Sequence, residues 1–202
     1  IPCEDKRVRN LLVGEDLNWS DTLKKGLLKI EEKRFFFLYD DAFITEFNLK
    51  ELELIFRIAV ENNLDSVALR KRVFDRGKRF NKKMYRINPT AKYRTSLFLN
   101  LIKKDLLLSL LKSGENTWQF EKVGTKRSKN FDFFSVYNTK LVAYHHGIIK
   151  GKWMPKVYNY LKNKGYSLNG NTFKKHSKVK VLGMNIYTSI FYIVNWFLHL
   201  FK

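Results

Sequence analysis

Asp40 and Asp41 stand side by side at the end of the apolar run Arg34-Phe35-Phe36-Phe37-Leu38-Tyr39. Adjacent carboxylates repel and raise each other's pKa, so the pair needs a physical reason. A divalent cation supplies one. A hard ion such as Mg²⁺ or Mn²⁺ takes one or two carboxylates and fills its shell with water and substrate phosphate oxygens. Two aspartates opening a turn or capping the next helix would leave the same trace, and on the pair alone the two readings stand level.

The surrounding elements decide what such a pair faces. Trp19, Leu23, Leu27 and Ile30 recur at helical spacing behind the capping candidates Asn18 and Ser20, which predicts an amphipathic helix over Asn18 to Glu32. The aromatic run after it lacks a helical polar face and predicts a buried strand ending in the acidic pair. Leu49 to Asn62 predicts a second amphipathic helix and Ser66 to Arg70 a second short strand. This is the logic of a βαβ unit. It implies a layered, Rossmann-like α/β fold in which ligands gather at the C-terminal ends of the strands. Further on, the pattern predicts a helix over 103–112, a polar stretch from Gly114 to Asn130, a strand over 141–144 and a helix over about 153–164.

The chain has 202 residues, 45% of them hydrophobic and 15% aromatic, enough for one packed domain. That composition excludes a disordered chain, a collagen-like repeat and a small disulfide scaffold. The single cysteine, Cys3, forms no internal bridge, so a cytoplasmic address is the default. The net charge of +20 calls for an anionic partner, and it is uneven: residues 1–121 hold 24 basic and 18 acidic residues, residues 122–202 hold 15 and one. The opening residues lack the pattern of a signal peptide, and beginning with Ile1 they suggest a chain whose start lies upstream.

The last segment differs in kind. Val181 to Phe201 carries no formal charge over 21 residues, long enough to span a bilayer, where roughly 20 apolar residues suffice. Asn185, Ser189, Tyr192, Asn195 and His199 nevertheless fall on one stripe, which favours lying in the membrane interface. Lys174, Lys175, Lys178 and Lys180 precede it and suit an anionic membrane surface, so the expected partner region is 174–202. The expected division is an α/β domain over 1–170 and a basic, amphipathic tail over 171–202. A helix docked on the domain core or on a protein partner is the alternative.

Several stretches, in order, carry a resemblance. Asn18-Trp19-Ser20-Asp21-Thr22-Leu23-Lys24-Lys25-Gly26-Leu27 is followed by Phe36-Phe37-Leu38-Tyr39-Asp40-Asp41-Ala42-Phe43-Ile44, then by Tyr93-Arg94-Thr95-Ser96-Leu97. After these come Gly114-Glu115-Asn116-Thr117-Trp118-Gln119-Phe120-Glu121, Gly124-Thr125-Lys126-Arg127-Ser128, and His146-Gly147-Ile148-Ile149-Lys150-Gly151-Lys152-Trp153. Together, over roughly residues 15–165, the chain resembles GT-A-type glycosyltransferases of bacterial capsule and lipopolysaccharide synthesis. The resemblance implies a GT-A-like α/β fold whose first strand and nucleotide-base loop are missing here. It implies a nucleotide-sugar donor, a saccharide or lipid-linked saccharide acceptor, and a place at the inner face of the cell membrane. It also implies that Asp40-Asp41 is the acidic metal motif, with Asp41 on the Mn²⁺ or Mg²⁺ and Asp40 also on the donor's hydroxyls. Glu121 becomes the acidic residue on the acceptor side, and His145 or His146 the histidine near the diphosphate. One departure is that the family separates its acidic residues by one position, whereas neighbours on a strand point to opposite faces.

The chemistry of transfer fits these residue types. Charge must be neutralised on the leaving diphosphate and a base must deprotonate the acceptor hydroxyl. Lys150 and Lys152 beside His146 suit the first task, Glu121 among apolar neighbours the second. Arg94 and Arg127 are weaker candidates for phosphate or acceptor contact, and Trp118 and Trp153 for stacking on sugar rings. The rival is a basic nucleic-acid-binding protein, or a metal-dependent nuclease using Asp40, Asp41 and Glu121. It ranks lower, because no zinc-finger, helix-turn-helix or RNP-like motif accompanies the charge.

Overall fold

The computed structural model describes residues 5–72, 75–168 and 174–200. Cys3 and Phe201 lie outside them, as do the side chains of Tyr192, Asn195 and His199. Helix α1 (Trp19–Leu28) starts where Asn18 accepts a hydrogen bond from the Asp21 N–H at 3.0 Å, satisfying one orphan donor of the first turn. It ends four residues earlier than the sequence pattern predicts. Strand β1 (Arg34–Phe37) leads into the Asp40-Asp41 turn, and β2 (Ala42–Phe47) leads out of it. Helix α2 (Leu49–Glu61) is capped by Asn48 in the same manner as α1. Then follow β3 (Ser66–Ala68), β4 (Arg76–Arg79), β5 (Met84–Ile87), β6 (Asn100–Lys103) and α3 (Lys104–Leu110). The polar stretch from Gly114 to Asn130 holds helix α4 (Thr117–Arg127). Asn116 and Gln119 close a reciprocal capping box at its start, and Lys126 and Arg127 complement the dipole at its end.

After β7 (Phe133–Val136) come β8 (Val142–His146), β9 (Ile148–Ile149), β10 (Lys152–Trp153), α5 (Pro155–Asn163) and α6 (Lys178–Leu200). The main sheet has the order β1-β6-β3-β7-β5-β4. β6 is antiparallel to both β1 and β3, and β3 is parallel to β7, so β1, β3 and β7 run in one direction. The fold is therefore mixed α/β. The expected βαβ unit is modified by β6, which inserts between β1 and β3; its central residues Leu101 and Ile102 are fully buried and need apolar neighbours on both faces.

Side chains alternate between two cores. Val67, Leu101 and Phe134 face one that contains Ile55 and Ala59 of α2; Ala68, Ile102 and Phe133 face the other, with Leu27, Leu107 and Phe120 from α1, α3 and α4. Helices thus cover both faces of the sheet, as a layered α/β domain requires.

Two small ribbons complete the domain. β2 pairs with β8, and β9 with β10 through the tight Lys150-Gly151 turn, where φ is 50° and 67° as a type I′ turn demands. Lys175 joins the edge of the second ribbon, with His176 buried and its Nε2 at 2.8 Å from the Ile149 carbonyl. Beyond it, α6 leaves Leu182, Ile186, Tyr187 and Ile190 exposed. Among the described residues no helix is long and apolar enough to cross a membrane.

Candidate active site at the strand ends

The shared direction of β1, β3 and β7 places the segments that follow them at one edge of the sheet. After β1 the chain turns tightly, the Ala42 N–H donating to the Tyr39 carbonyl at 3.1 Å, and this turn carries the acidic pair. The end of β8 holds it from outside: the Gly147 N–H donates to the Asp41 carbonyl at 2.7 Å. A side chain at Gly147 would overlap the Phe43 ring and lie 3.3 Å from that carbonyl, so glycine is what permits the close approach.

Phe98 is the hub of the edge. Tyr39 stacks on it with ring centroids 6.2 Å apart, Tyr144 meets it edge-on at 4.8 Å, and the His146 imidazole lies 4.9 Å away. The Arg70 guanidinium, just past β3, sits 6.0 Å from the same ring, and the Arg70 carbonyl accepts from the Ser135 hydroxyl at 2.7 Å. Glu121 enters from α4. Its neighbour Phe120 is buried against Trp19 at 5.3 Å, and the Glu121 carbonyl accepts from the Thr95 hydroxyl at 3.2 Å, which fixes the helix against the loop before β6.

Electrostatics ties these groups into one cluster. Burial, then the charges of Glu121 and Asp41, push the Tyr39 phenol well above its usual value, against a smaller opposing effect of Arg70. The Tyr39 hydroxyl is buried and meets no acceptor at full hydrogen-bond geometry among the described residues, with the Glu121 side chain the hydrogen-bonding group that acts on it. Loss of water around His146 holds its imidazole below the usual value; Asp41 pulls it up and Arg70 pushes it further down. A folded pKa below the unfolded one means that protonation favours unfolding. The contribution of His146 to stability is therefore complete above about pH 6.5, the unfolded value, and declines as pH falls from there through the folded pKa. An NMR titration of the imidazole protons is expected to give a His146 midpoint below 6.5, and a midpoint above it would contradict this environment.

Asp41 and Glu121 thus both act on the Tyr39 phenol, and Asp41 also on the His146 imidazole. Asp40 is exposed in the turn, and among the described residues it makes none of these contacts. His145 is half-buried and, on the pleat of β8, points away from the face on which His146 meets Phe98. Lys150 and Lys152 are exposed on the β9–β10 ribbon, with no contact to the Phe98 cluster among the described residues.

Two candidates require correction. Arg94 is fully buried: its guanidinium donates to the Ser128 carbonyl, to the Ser128 hydroxyl at 2.9 Å and to the Phe131 carbonyl at 2.8 Å, so it cannot reach a ligand. Arg127 is clamped by both Glu115 oxygens at 2.8 and 2.7 Å, which leaves it a structural role. Trp153 packs against Phe43 and Tyr158, whereas Trp118 remains exposed beside Tyr93, one helical turn before Glu121. Sequence reasoning missed Tyr39, Arg70, Phe98 and Tyr144. The rule that ligands meet the C-terminal strand ends points to Arg70, the last residue of the second predicted strand.

Among the described residues no group of three His, Cys, Asp or Glu side chains gathers as a metal site. Comparison with protein-family models, with curated proteins and with solved structures finds no match, so the reading of this edge rests on its own geometry.

Proposed function

We propose that the chain is a glycosyltransferase that moves a sugar from a nucleotide-diphosphate sugar to a saccharide hydroxyl, on a lipid-linked acceptor in surface polysaccharide synthesis. The observation that carries this reading is the meeting of Arg70, His146 and Tyr39 at the Phe98 ring, with the Tyr39 phenol in the field of Asp41 and Glu121 and the His146 imidazole in that of Asp41. Glu121 is the base that takes the acceptor hydroxyl proton. Arg70 faces the charge that develops on the leaving diphosphate, with His146 as a neutral hydrogen-bonding group beside it. Exposed Trp118, one turn from Glu121, offers a ring face for the acceptor sugar.

Asp41 is the residue that would hold a divalent cation. The donor set suits an ion completed by diphosphate oxygens and water, since Mg²⁺ sites of that kind use only one or two carboxylates. Such an ion supplies charge neutralisation on the leaving group. Exposed apolar residues of α6 behind Lys174, Lys175, Lys178 and Lys180 support peripheral attachment to an anionic membrane, where a lipid-linked acceptor resides.

Calorimetric titration with UDP and with GDP tests the reading, in Mn²⁺ and in chelator, at salt high enough to suppress nonspecific phosphate attraction. Saturable binding of one nucleotide that requires the metal is expected. The net charge of +20 favours a nucleic-acid partner as the second reading. Tight oligonucleotide binding with no nucleotide response would overturn the first reading in its favour.

A further inference from the structure

Counting charge by halves of the chain hides its densest patch. Residues 70–94 hold 11 basic residues and a single acid, Asp75. The neighbouring carboxylates are already engaged: Asp75 pairs with Arg72 at 2.7 Å, Glu51 with Lys83 at 3.0 Å, and Asp132 with Arg86. What remains is a set of exposed cations on the β4–β5 hairpin that pair with no carboxylate among the described residues: Arg76, Lys78, Arg79 and Lys82. β4 is an edge strand, so nothing in the sheet covers them. Charged side chains, lysine above all, keep an edge strand from pairing with another chain. Here three of the four residues of β4 are cationic, and Lys82 and Lys83 extend the charge through the turn.

We infer that this hairpin is a second contact with an anionic lipid surface, acting together with α6. The inference rests on the membrane part of the function proposed above. Two features favour lipid over nucleic acid. A polynucleotide would account for the cations but not for the uncovered apolar residues of α6, whereas an anionic bilayer accounts for both. The hairpin also offers few stacking platforms for bases: Tyr85 is buried, the Tyr137 ring nearby is occupied by the Arg76 guanidinium at 4.9 Å, and the partly exposed Phe80 already packs on Phe134 at 5.0 Å. The four cations fall within seven residues of one exposed hairpin, which concentrates positive charge where an anionic leaflet can meet it. Once α6 has partitioned, the hairpin binds as an intramolecular event at high effective concentration, and two separate anchors fix which side of the domain faces the membrane.

The test compares full-length proteins for binding to vesicles of phosphatidylcholine alone and of phosphatidylcholine with phosphatidylglycerol. A hairpin variant carries Lys78→Gln, Arg79→Gln and Lys82→Gln; a helix variant carries Ile186→Asp and Ile190→Asp. All five positions are exposed, and circular dichroism verifies the fold. Each cation near an anionic leaflet is worth about fivefold in binding, so the hairpin variant is expected to bind anionic vesicles roughly a hundredfold more weakly. Its binding to neutral vesicles should be unchanged. A hairpin variant that binds anionic vesicles like the parent, while the helix variant is released, overturns the hairpin contact and leaves the membrane reading standing. A parent chain that binds neither vesicle overturns both. A parent that prefers an oligonucleotide to anionic vesicles, with the preference lost in the hairpin variant, reassigns the hairpin to nucleic acid and overturns the inference.

Discussion

Asp41→Asn is expected to lower metal-dependent sugar transfer by about 10²- to 10³-fold while leaving the melting temperature close to that of the parent, the scale on which losing one preorganised electrostatic group acts. The two effects separate because of how the turn is built. It is held by backbone hydrogen bonds, Ala42 N–H to Tyr39 and Gly147 N–H to the Asp41 carbonyl, and these survive the amide. The lost charge is what Tyr39 and His146 both sense. A second readout follows from the same geometry. Asp41 pulls the His146 pKa up, so in the variant the His146 midpoint should fall further below that of the parent. Full activity in Asp41→Asn would end the metal assignment, and an unmoved His146 midpoint would show that the two groups are not neighbours in solution.

Arg94→Ala is expected to destabilise the domain by about 3–5 kcal/mol, the range for breaking a fully buried charged network. For a chain of this length that corresponds to a fall of about 10 °C in melting temperature. Arg94 has no side-chain accessibility and lies 4.5 Å over the Phe133 ring. Burial pushes its guanidinium down to about 10, so it stays protonated at neutral pH. Truncation leaves the Ser128 and Phe131 carbonyls without donors and opens a void beneath β7. Arg94→Lys should recover little, because one ammonium on a straight stem cannot span both carbonyls as the planar fork does. Thermal melts decide it: a variant within a degree or two of the parent would return Arg94 to the pool of ligand-binding candidates.

What the sequence discloses follows from the range of the forces involved. Asn18 and Asn48 announce α1 and α2 because a cap acts within four residues. Helix α4 was hidden by its weak apolar periodicity, although Asn116 and Gln119 carry a capping-box pair. Strands β6 and β7 are buried on both faces, so they show no alternation to read. The insertion of β6 between β1 and β3 depends on pairing across long stretches of chain, which no local pattern encodes. The same division holds at the site. Asp41 and His146 were visible as residue types, but only the tertiary fold puts Phe98 between Tyr39 and His146. The basic residues misled for the converse reason. Arg94 and Arg127 look like free cations in the sequence, and their partners Ser128 and Glu115 become neighbours only after packing.

The position of β6 has a consequence for how the chain emerges from the ribosome. β1 is synthesised early, yet its ladder partner β6 follows about 60 residues later, several seconds at ordinary translation rates. Through that interval Phe35, Phe36 and Phe37 form a short, uncharged stretch of strong β propensity with no strand to receive it. Helix α2 is the cover within reach, and Phe36 meets Phe56 of that helix at 6.1 Å. In the finished domain this contact lies in an open apolar groove between β1 and α2, lined also by Leu49 and Val60. During synthesis the same contact would give that segment an apolar partner before β6 exists.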